Sequence, residues 1–482
     1  MACKCVCCLG ALHMATKWPR LRKPSGRAPL VFLMAGEPSG DALGAQLMTA
    51  LRREYGPELR FAGVGGDKMT AQGLSSLFPM AELSVMGFVE LVPVLPRLMR
   101  RLSQTIAAAR ATSPDLVVGI DAKAFCLRVH GALSADRARQ QPSGEAGPRL
   151  VQYVAPSAWA FADAPRRASK LSHVVDELLC LLPFEVPLFE AAGVPSTFVG
   201  HPAALDCSEA ATGWRGRDIH GVVRNALCVL PGSRAEEIAA NLPPMLEAAE
   251  KVAASHRLSG HVIDRLLLPT PPAVRAAVEA HLCGRPEGGL RAVVTSSERE
   301  RHDAFGTSRL ALACCGTVNV ELARARTPQV AVYRSSRVTS WIVRHLLRPT
   351  TPYATLPNIL RSRAWQSTLA ADAAPSSSSS PWTGAPPPTS RAKGDASFDG
   401  ARTHDEGPSR TPALIPELLF EQCTADAIAS AAIGLLADPS AAAAQAQASA
   451  QAIESMVARD TNGCPVQSAT AAARALLHHL PV

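Results

Sequence analysis

Glu37, Ser39 and Asp41 crowd a turn that ends the apolar run Val31 to Met34 and opens a helical pattern of Leu43, Leu47, Met48 and Leu51. Carboxylates at the end of a buried strand can hold polar ligands or protons, and open α/β sheets put their functional residues there. Asp121 holds the same position after Leu116 to Ile120. It can serve as a general base or simply cap a turn. LPGSR, Leu230 to Arg234, follows another apolar run. Gly232 and Ser233 would let the backbone approach a phosphate at a helix start, and Arg234 could pair with a diphosphate. An ordinary strand–helix turn with a surface arginine has the same pattern. In CCGTVNVE, Cys314 to Glu321, Gly316 and Thr317 offer similar donors. Glu321 could accept both hydroxyls of a ribose, or balance a helix dipole. Two such turns in one half of the chain favour a nucleotide site.

Three further stretches could line a ligand. YVAPSAWAF, Tyr153 to Phe161, leaves a strand with Ser157 and Trp159, which suit either a wall beside a ring or core packing. His201 in GHP ends a short strand and could reach a cleft, although a lone histidine is more often structural. Val85 to Leu102 joins Met86, Phe88, Val89, Leu91 and Val92 to Arg97, Arg100 and Arg101. That is either a buried helix or an apolar patch with a basic rim, suited to acyl chains beside anionic headgroups. Pro93 and Pro96 are expected to limit regular helix to its second half.

The elements that must position these residues alternate. Strands are predicted at 30–34, 60–64, 116–120, 150–154, 197–199, 227–230, 265–268, 291–294, 310–313 and 329–333, with amphipathic stretches such as Asp41 to Arg53 and Glu236 to Ala254 between them. Such alternation implies parallel sheets covered by helices on both faces. It runs once to about residue 200 and restarts at Leu227, so the fold class is α/β with two doubly wound Rossmann-like domains and a cleft between them. The predicted division is a leader at 1–28, a first domain at 29–205, a linker at 206–226, a second domain at 227–367 and 411–438, and C-terminal helices at 439–482. Residues 368–410, with five consecutive serines and Pro386 to Pro388, cannot bury enough apolar area to offset ordering and are predicted to be a disordered insertion. Ala135 to Gly147 has the same character.

The chain has 482 residues, 47% of them hydrophobic, enough for a sizeable core. A net charge of +8 favours anionic partners such as nucleotides or a membrane face, and is too weak to argue for nucleic acid. No apolar run reaches the roughly 18 residues of a membrane span. The first acid is Glu37, preceded by Lys4, Lys17, Arg20, Arg22, Lys23 and Arg27, the pattern of an organellar transit peptide. The thirteen cysteines form no disulfide framework and lack zinc-site spacing.

In order along the chain come AGEPSGD, FAGVGGDKM, ELSVMGFVE, VGID, YVAPSAWAF, LPFE, FVGHP, LPGSR, GTVNVE, YATLPNIL and, beyond the insertion, LIPELLFEQCT. With these motifs the sequence resembles the lipid-A-disaccharide synthases, membrane-associated glycosyltransferases of the GT-B fold. The resemblance implies inverting transfer from UDP-2,3-diacylglucosamine to 2,3-diacylglucosamine 1-phosphate, giving a β-1′,6-linked disaccharide and UDP. It implies Asp121 as base, Arg234 on the diphosphate, Glu321 on the ribose and Asn358 holding the nucleotide. Glu37, Ser39, Gly40 and Asp41 would shape the sugar side of the cleft with Ser157, Trp159 and His201. It implies no metal or other cofactor, peripheral membrane contact and a homodimer; the basic leader makes the expected location a mitochondrion, with a plastid as the alternative. The segment after Asp121 departs from the pattern: Ala124 replaces a second acid and Cys126 an asparagine, and Cys315 stands where serine is usual. An epimerase-like enzyme acting on a UDP-amino sugar is the alternative, as is a non-catalytic lipid- or nucleotide-binding relative. The apolar, basic-rimmed stretch argues against the epimerase.

Overall fold

The computed structural model of the chain describes residues 28–83, 88–140, 147–161, 163–205, 225–258, 262–283, 285, 289–335, 351–362 and 413–480, without the side chains of 88–93 and 140. The leader up to residue 27, the linker up to residue 224, the insertion at 368–410 and Met86 lie outside the described residues.

Two six-stranded parallel sheets carry the fold. The first contains β1 (Leu30–Ala35), β2 (Arg60–Val64), β3 (Leu116–Ile120), β4 (Arg149–Tyr153), β5 (Glu177–Cys180) and β6 (Ser196–Phe198), in the order β2-β1-β3-β4-β5-β6. The second contains β7 (Ala226–Leu230), β8 (Arg265–Pro269), β9 (Arg291–Thr295), β10 (Ser308–Cys314), β11 (Gln329–Tyr333) and β12 (Glu417–Leu419), in the order β12-β11-β10-β7-β8-β9. A parallel sheet covered on both faces needs uninterrupted apolar strands. LVFLMA, LVVGI and ALCVL meet that need, and every residue of each is buried.

In each sheet the winding reverses once beside its first strand, between β1 and β3 and again between β7 and β10. A crevice opens at such a reversal, outside the carboxyl ends of the strands. Ala35 pairs with Ile120, so Gly36 and Asp121 leave the first sheet side by side. Leu230 pairs with Ala313, so LPGSR and the Cys314–Cys315 turn leave the second sheet together.

The predicted strands match the observed ones to within a residue or two. β5 and β12 escaped the reading because each is very short and opens on a glutamate, Glu177 or Glu417. Two helices are longer than expected. One runs Phe88–Thr112 through Pro93 and Pro96. Its C-terminal half is anchored by buried Thr105 and Ala109, so the prolines fall in outer turns that the anchored half carries. The other, Lys123–Gln140, continues into the presumed insertion at 135–147, held there by Asp136 on Arg110 at 2.7 Å and Arg137 on Asp176 at 2.8 Å.

The C-terminal helices divide between the domains. Ala425–Ala437 packs on Ala235–Leu258 of the second domain. The last helix, Ser468–Leu477, returns to the first domain, where Ala469 to Leu480 join the same core as Val31, Leu33 and Val118. Ser468 Oγ donates to the Gly200 carbonyl at 2.7 Å and meets Tyr153 Oη at 3.0 Å. Among the described residues no single helix is long and apolar enough to cross a membrane.

Asn358 closes the base of the insertion. Its carbonyl accepts from the Leu414 and Ile415 amides at 2.8 and 3.0 Å, and its amide donates to the Ile415 carbonyl and Glu417 at 2.9 and 2.7 Å. Both sides of the long insertion are thereby clasped independently of what joins them. Replacing 368–410 by a short polar loop should leave the melting temperature within a few degrees of the parent, since loop length alone changes closure entropy slowly. Asn358→Ala should cost about 2–3 kcal/mol in denaturant unfolding, because buried donors lose their acceptor. The reverse ranking would show that the insertion itself holds the fold.

Candidate active site at the facing switch points

The two reversal loops meet. Glu37, after β1, lies 3.7 Å from Arg234, after β7, by Oε2 to Nη2. Arg234 also holds Glu237 at 2.8 Å, one turn into its own helix. Glu237 in turn accepts the Ser233 amide at 3.0 Å. Gly232 sits at φ +132°, where an added Cβ would strike the Glu237 side chain at 2.6 Å, so this loop requires glycine. On the neighbouring turn the Gly316 amide donates to Asn319 Oδ1 at 2.8 Å, and Gly316 and Thr317 are exposed. Glu321 pairs with Arg301 at 3.3 Å. Tyr333, at the end of β11, feels both Glu237 and Arg234, and burial raises its hydroxyl above the ordinary range.

Across the cleft, Asp121 is half-buried with φ +51°, followed by Ala122 at +22°; Val154, just after β4, is at +73°. Left-handed backbone at non-glycine residues costs roughly 1–2 kcal/mol each and persists only where the surroundings hold it. Here Gln152 holds it. Fully buried, it donates from Nε2 to the Asp121 carbonyl at 3.0 Å, and the Asp121 amide donates to the Tyr153 carbonyl at 2.9 Å. The Asp121 carboxylate itself makes no hydrogen bond or ion pair with any described residue. Gly36 faces the same bend, with room for an added Cβ only 2.8 Å from Ala122 Cβ. Ala124 is exposed, whereas Cys126 is fully buried and donates to the Met34 carbonyl at 3.6 Å. The cysteine in the unusual segment is therefore a core residue rather than part of the site. Burial pushes its thiol up to about 12.

Several expected site residues do other work. Asp41 is buried, and its carboxylate accepts the amides of Gly66, Lys68 and Met69 at 2.8, 2.9 and 3.0 Å. It caps the helix Asp67–Ala71 instead of facing a sugar. The glycine pair Gly65–Gly66 was the available signal, because an added Cβ at Gly66 would lie 2.7 Å from Asp41 Oδ2. Gly40 packs against the Ile120 carbonyl, so of the four expected residues in that turn only Glu37 and exposed Ser39 remain open. Asn358 is saturated by the clasp, so its side chain has no donor or acceptor left for a nucleotide. Arg101 makes paired hydrogen bonds to Glu82 at 2.7 and 2.9 Å and lies over Phe78, leaving Arg97 and Arg100 as the exposed cations of the helix's outer turns.

His201 is buried; its Nδ1 accepts the Ala203 amide at 3.2 Å, which leaves the proton on Nε2. Trp159 keeps its place in the wall. Its Nε1 donates to Glu185 at 3.1 Å and its ring meets Phe184 edge-on at 5.2 Å. Ser157 precedes it as a half-buried turn residue. The sequence reading missed Gln152, Glu185 and Asn241. Asn241, fully buried, donates to the Pro231 carbonyl at 3.1 Å and accepts the Arg334 amide at 2.8 Å, tying two loops at the carboxyl edge of the second sheet together. A lone polar residue inside an apolar strand or helix face was the signal in each case, since burying one unpaired is costly.

The sequence profile of lipid-A-disaccharide synthetases matches residues 31–378. A lipid-A-disaccharide synthase of Rhodospirillum centenum is 38% identical over 414 residues, covering 86% of this chain and 86% of the relative. One from Paramagnetospirillum magneticum is 35% identical over 429 residues, covering 89% and 93%. Among solved structures, the glycosyltransferase of kitacinnamycin aligns over 95% of this chain and 100% of its own at 13% identity, with a TM-score of 0.49.

Buried ionisable groups in the first domain set the response of the fold to acid. Burial pushes His130 and His201 down to about 4. Burial pushes Glu185 up to about 7, against the pull of the Leu182 amide, Trp159 and the Lys123 charge. Below about 6.5 the unfolded chain protonates both imidazoles while the native state does not, so each removes up to about 3 kcal/mol of stability as pH falls towards 4. Glu185 acts in the opposite direction, because the native state takes up its proton below about 7 and the unfolded chain only near 4.5. The melting temperature of Glu185→Gln should therefore fall more steeply than that of the parent between pH 6.5 and 4.5. Parallel curves would show that Glu185 titrates as an ordinary carboxylate.

Proposed function

The chain belongs to the lipid-A-disaccharide synthase family and is a glycosyltransferase that makes the lipid A disaccharide; from that premise we propose that Asp121 is its general base and that Arg234 receives the leaving diphosphate. The acceptor is 2,3-diacylglucosamine 1-phosphate and the donor UDP-2,3-diacylglucosamine. The acceptor 6-hydroxyl attacks the donor's anomeric carbon in line as the bond to the diphosphate breaks. Asp121 takes the hydroxyl proton, and UDP leaves with the bonding electrons. Arg234, with the backbone donors of the Gly232–Ser233 and Gly316–Thr317 turns, neutralises the developing charge, and no metal takes part in the step. Glu321 would share its carboxylate between Arg301 and the ribose hydroxyls.

The observation that carries this reading is the 3.7 Å approach of Glu37 to Arg234, which brings the acid-bearing edge of one sheet to the cationic edge of the other. Phosphate would replace Glu37 and Glu237 on the guanidinium. The strained backbone of Asp121, held by Gln152, supports it further, because it carries a carboxylate that no described residue engages at the end of the strand. Asp121→Asn should lower kcat by about 10²–10⁴ while UDP affinity stays unchanged. Arg234→Ala should weaken UDP binding by about 1.5–3 kcal/mol, read by calorimetry. Normal turnover in the first variant or unchanged affinity in the second would remove that residue from its role.

We further propose that the outer turns of Phe88–Thr112 meet the membrane. Leu95 and Met99 are 49% and 52% exposed, one helical turn apart, with Arg97 and Arg100 exposed between and beside them. Large apolar side chains open to solvent beside cations suit acyl chains under anionic headgroups. A Leu95→Ser/Met99→Ser variant should cosediment less with anionic phospholipid vesicles while its melting temperature holds. Equal cosedimentation would exclude this face.

A further inference from the structure

The last helix runs antiparallel to the strands of the first sheet. Ser468 at its start meets Tyr153 and Gly200, at the carboxyl ends of β4 and β6. His479, just past its end, meets Glu177, the first residue of β5. Roughly eleven residues of helix and five of strand each span about 16 Å, so the two pins lie at opposite edges of the sheet. The pin at the amino edge is unusual. His479 Nε2 lies 2.6 Å and His478 Nε2 3.5 Å from the same oxygen, Glu177 Oε2. The imidazole centroids lie 3.8 Å apart, with the rings tilted 43° to each other. The donor atoms of all three residues lie within 4.8 Å of one another.

We propose that Glu177, His478 and His479 form a divalent transition-metal site of the zinc class, which staples the C-terminal helix to the first sheet. Two imidazole nitrogens and a carboxylate oxygen are a donor set that zinc favours. Tetrahedral ligands at about 2.0–2.2 Å from zinc stand roughly 3.3 Å apart, so the His479–Glu177 contact need open by only a fraction of an ångström. Thr197 Oγ1 donates to the other Glu177 oxygen, Oε1, and the main chain of Ala475 hydrogen-bonds the His478 ring. Such outer contacts orient metal ligands. Glu177 is almost wholly buried while His478 is half exposed, which gives the ion an entry path and leaves water a fourth position. Arg149, whose charge is felt by His478, is drawn towards Asp176 at 4.0 Å. The site lies at the sheet edge opposite Asp121, so the ion supports the fold and takes no part in the transfer.

The full chain, stripped with chelator, would be titrated with Zn²⁺ and, separately, Co²⁺. The parent should bind one more equivalent than a His478→Gln/His479→Gln variant and gain about 5 °C in melting temperature from it. The cobalt bands assigned to that equivalent should lack a thiolate charge-transfer component, which separates the site from the cysteines. Mg²⁺ should produce neither effect. His478 is half exposed, so His478→Gln alone should fold as the parent does and lose at least about tenfold in zinc affinity, covering the case in which the double variant fails to fold. Equal metal binding by parent and His478→Gln, or difference spectra carried by thiolates, would overturn the site and leave a simple carboxylate–imidazole contact.

Discussion

The parallel register of two strand pairs is the constraint from which the rest follows. Ala35 opposite Ile120 and Leu230 opposite Ala313 make two pairs of loops leave their sheets side by side at the carboxyl edge. A shift of either pairing by one residue would send each strand's buried side chains to the opposite face. Since β1, β3 and β7 are buried on both faces, what pins them is less alternation than the residues at their ends. Gly36 against Ala122 and Gly40 against the Ile120 carbonyl permit only close, glycine-sized approach. The contact between Glu37 and Arg234 then follows from two locally determined edges meeting.

Polar residues within the core do the fine positioning. Gln152 holds the bend that carries Asp121, Asn241 ties Pro231 to Arg334, Asp41 caps the helix after β2, and Asn358 clasps the chain on both sides of the insertion. Each satisfies backbone groups that the sheets and helices leave over, and each such bond, left unmade inside the protein, would cost more than it contributes when made. The loops at the two switch points are consequently supported from behind by buried polar groups. This arrangement lets a site on loops keep a defined geometry while Asp121 and Arg234 remain open to the cleft.

The chain joins its two domains twice. After the second sheet, the segment at Met456 accepts the His201 amide at 2.8 Å, and an added Cβ at Gly200 would lie 2.7 Å from the Ala458 amide. The last helix then completes the first core. The first core is therefore complete only with residues from the end of the chain, and the two domains are joined by a covalent return path as well as by side-chain contact. Arg324, which donates to the Ala203 carbonyl at 3.2 Å, adds a further link beside that crossing.

Apolar periodicity, glycine placement and the order of motifs were enough to settle the α/β class, two doubly wound domains, nearly all the strand positions and the loops that carry Glu37, Asp121, Arg234 and Glu321. These are local properties, written in runs of about five apolar residues with a turn after each. Local pattern could not say where a side chain spends its hydrogen bonds. Asp41 and Asp121 look alike as acids after a strand, yet the carboxylate of one accepts three backbone amides and that of the other meets no described residue. Asn358 and Arg101 likewise read as ligand-facing, until partners far away in sequence, Leu414 and Ile415 or nearby Glu82, took them. The joining of residues 468–480 to the first core, and of Glu177 to His478 and His479, depended on packing across some three hundred residues. Only tertiary structure decides such pairings, because they are chosen by the shape and desolvation of surfaces that do not exist until the chain has closed.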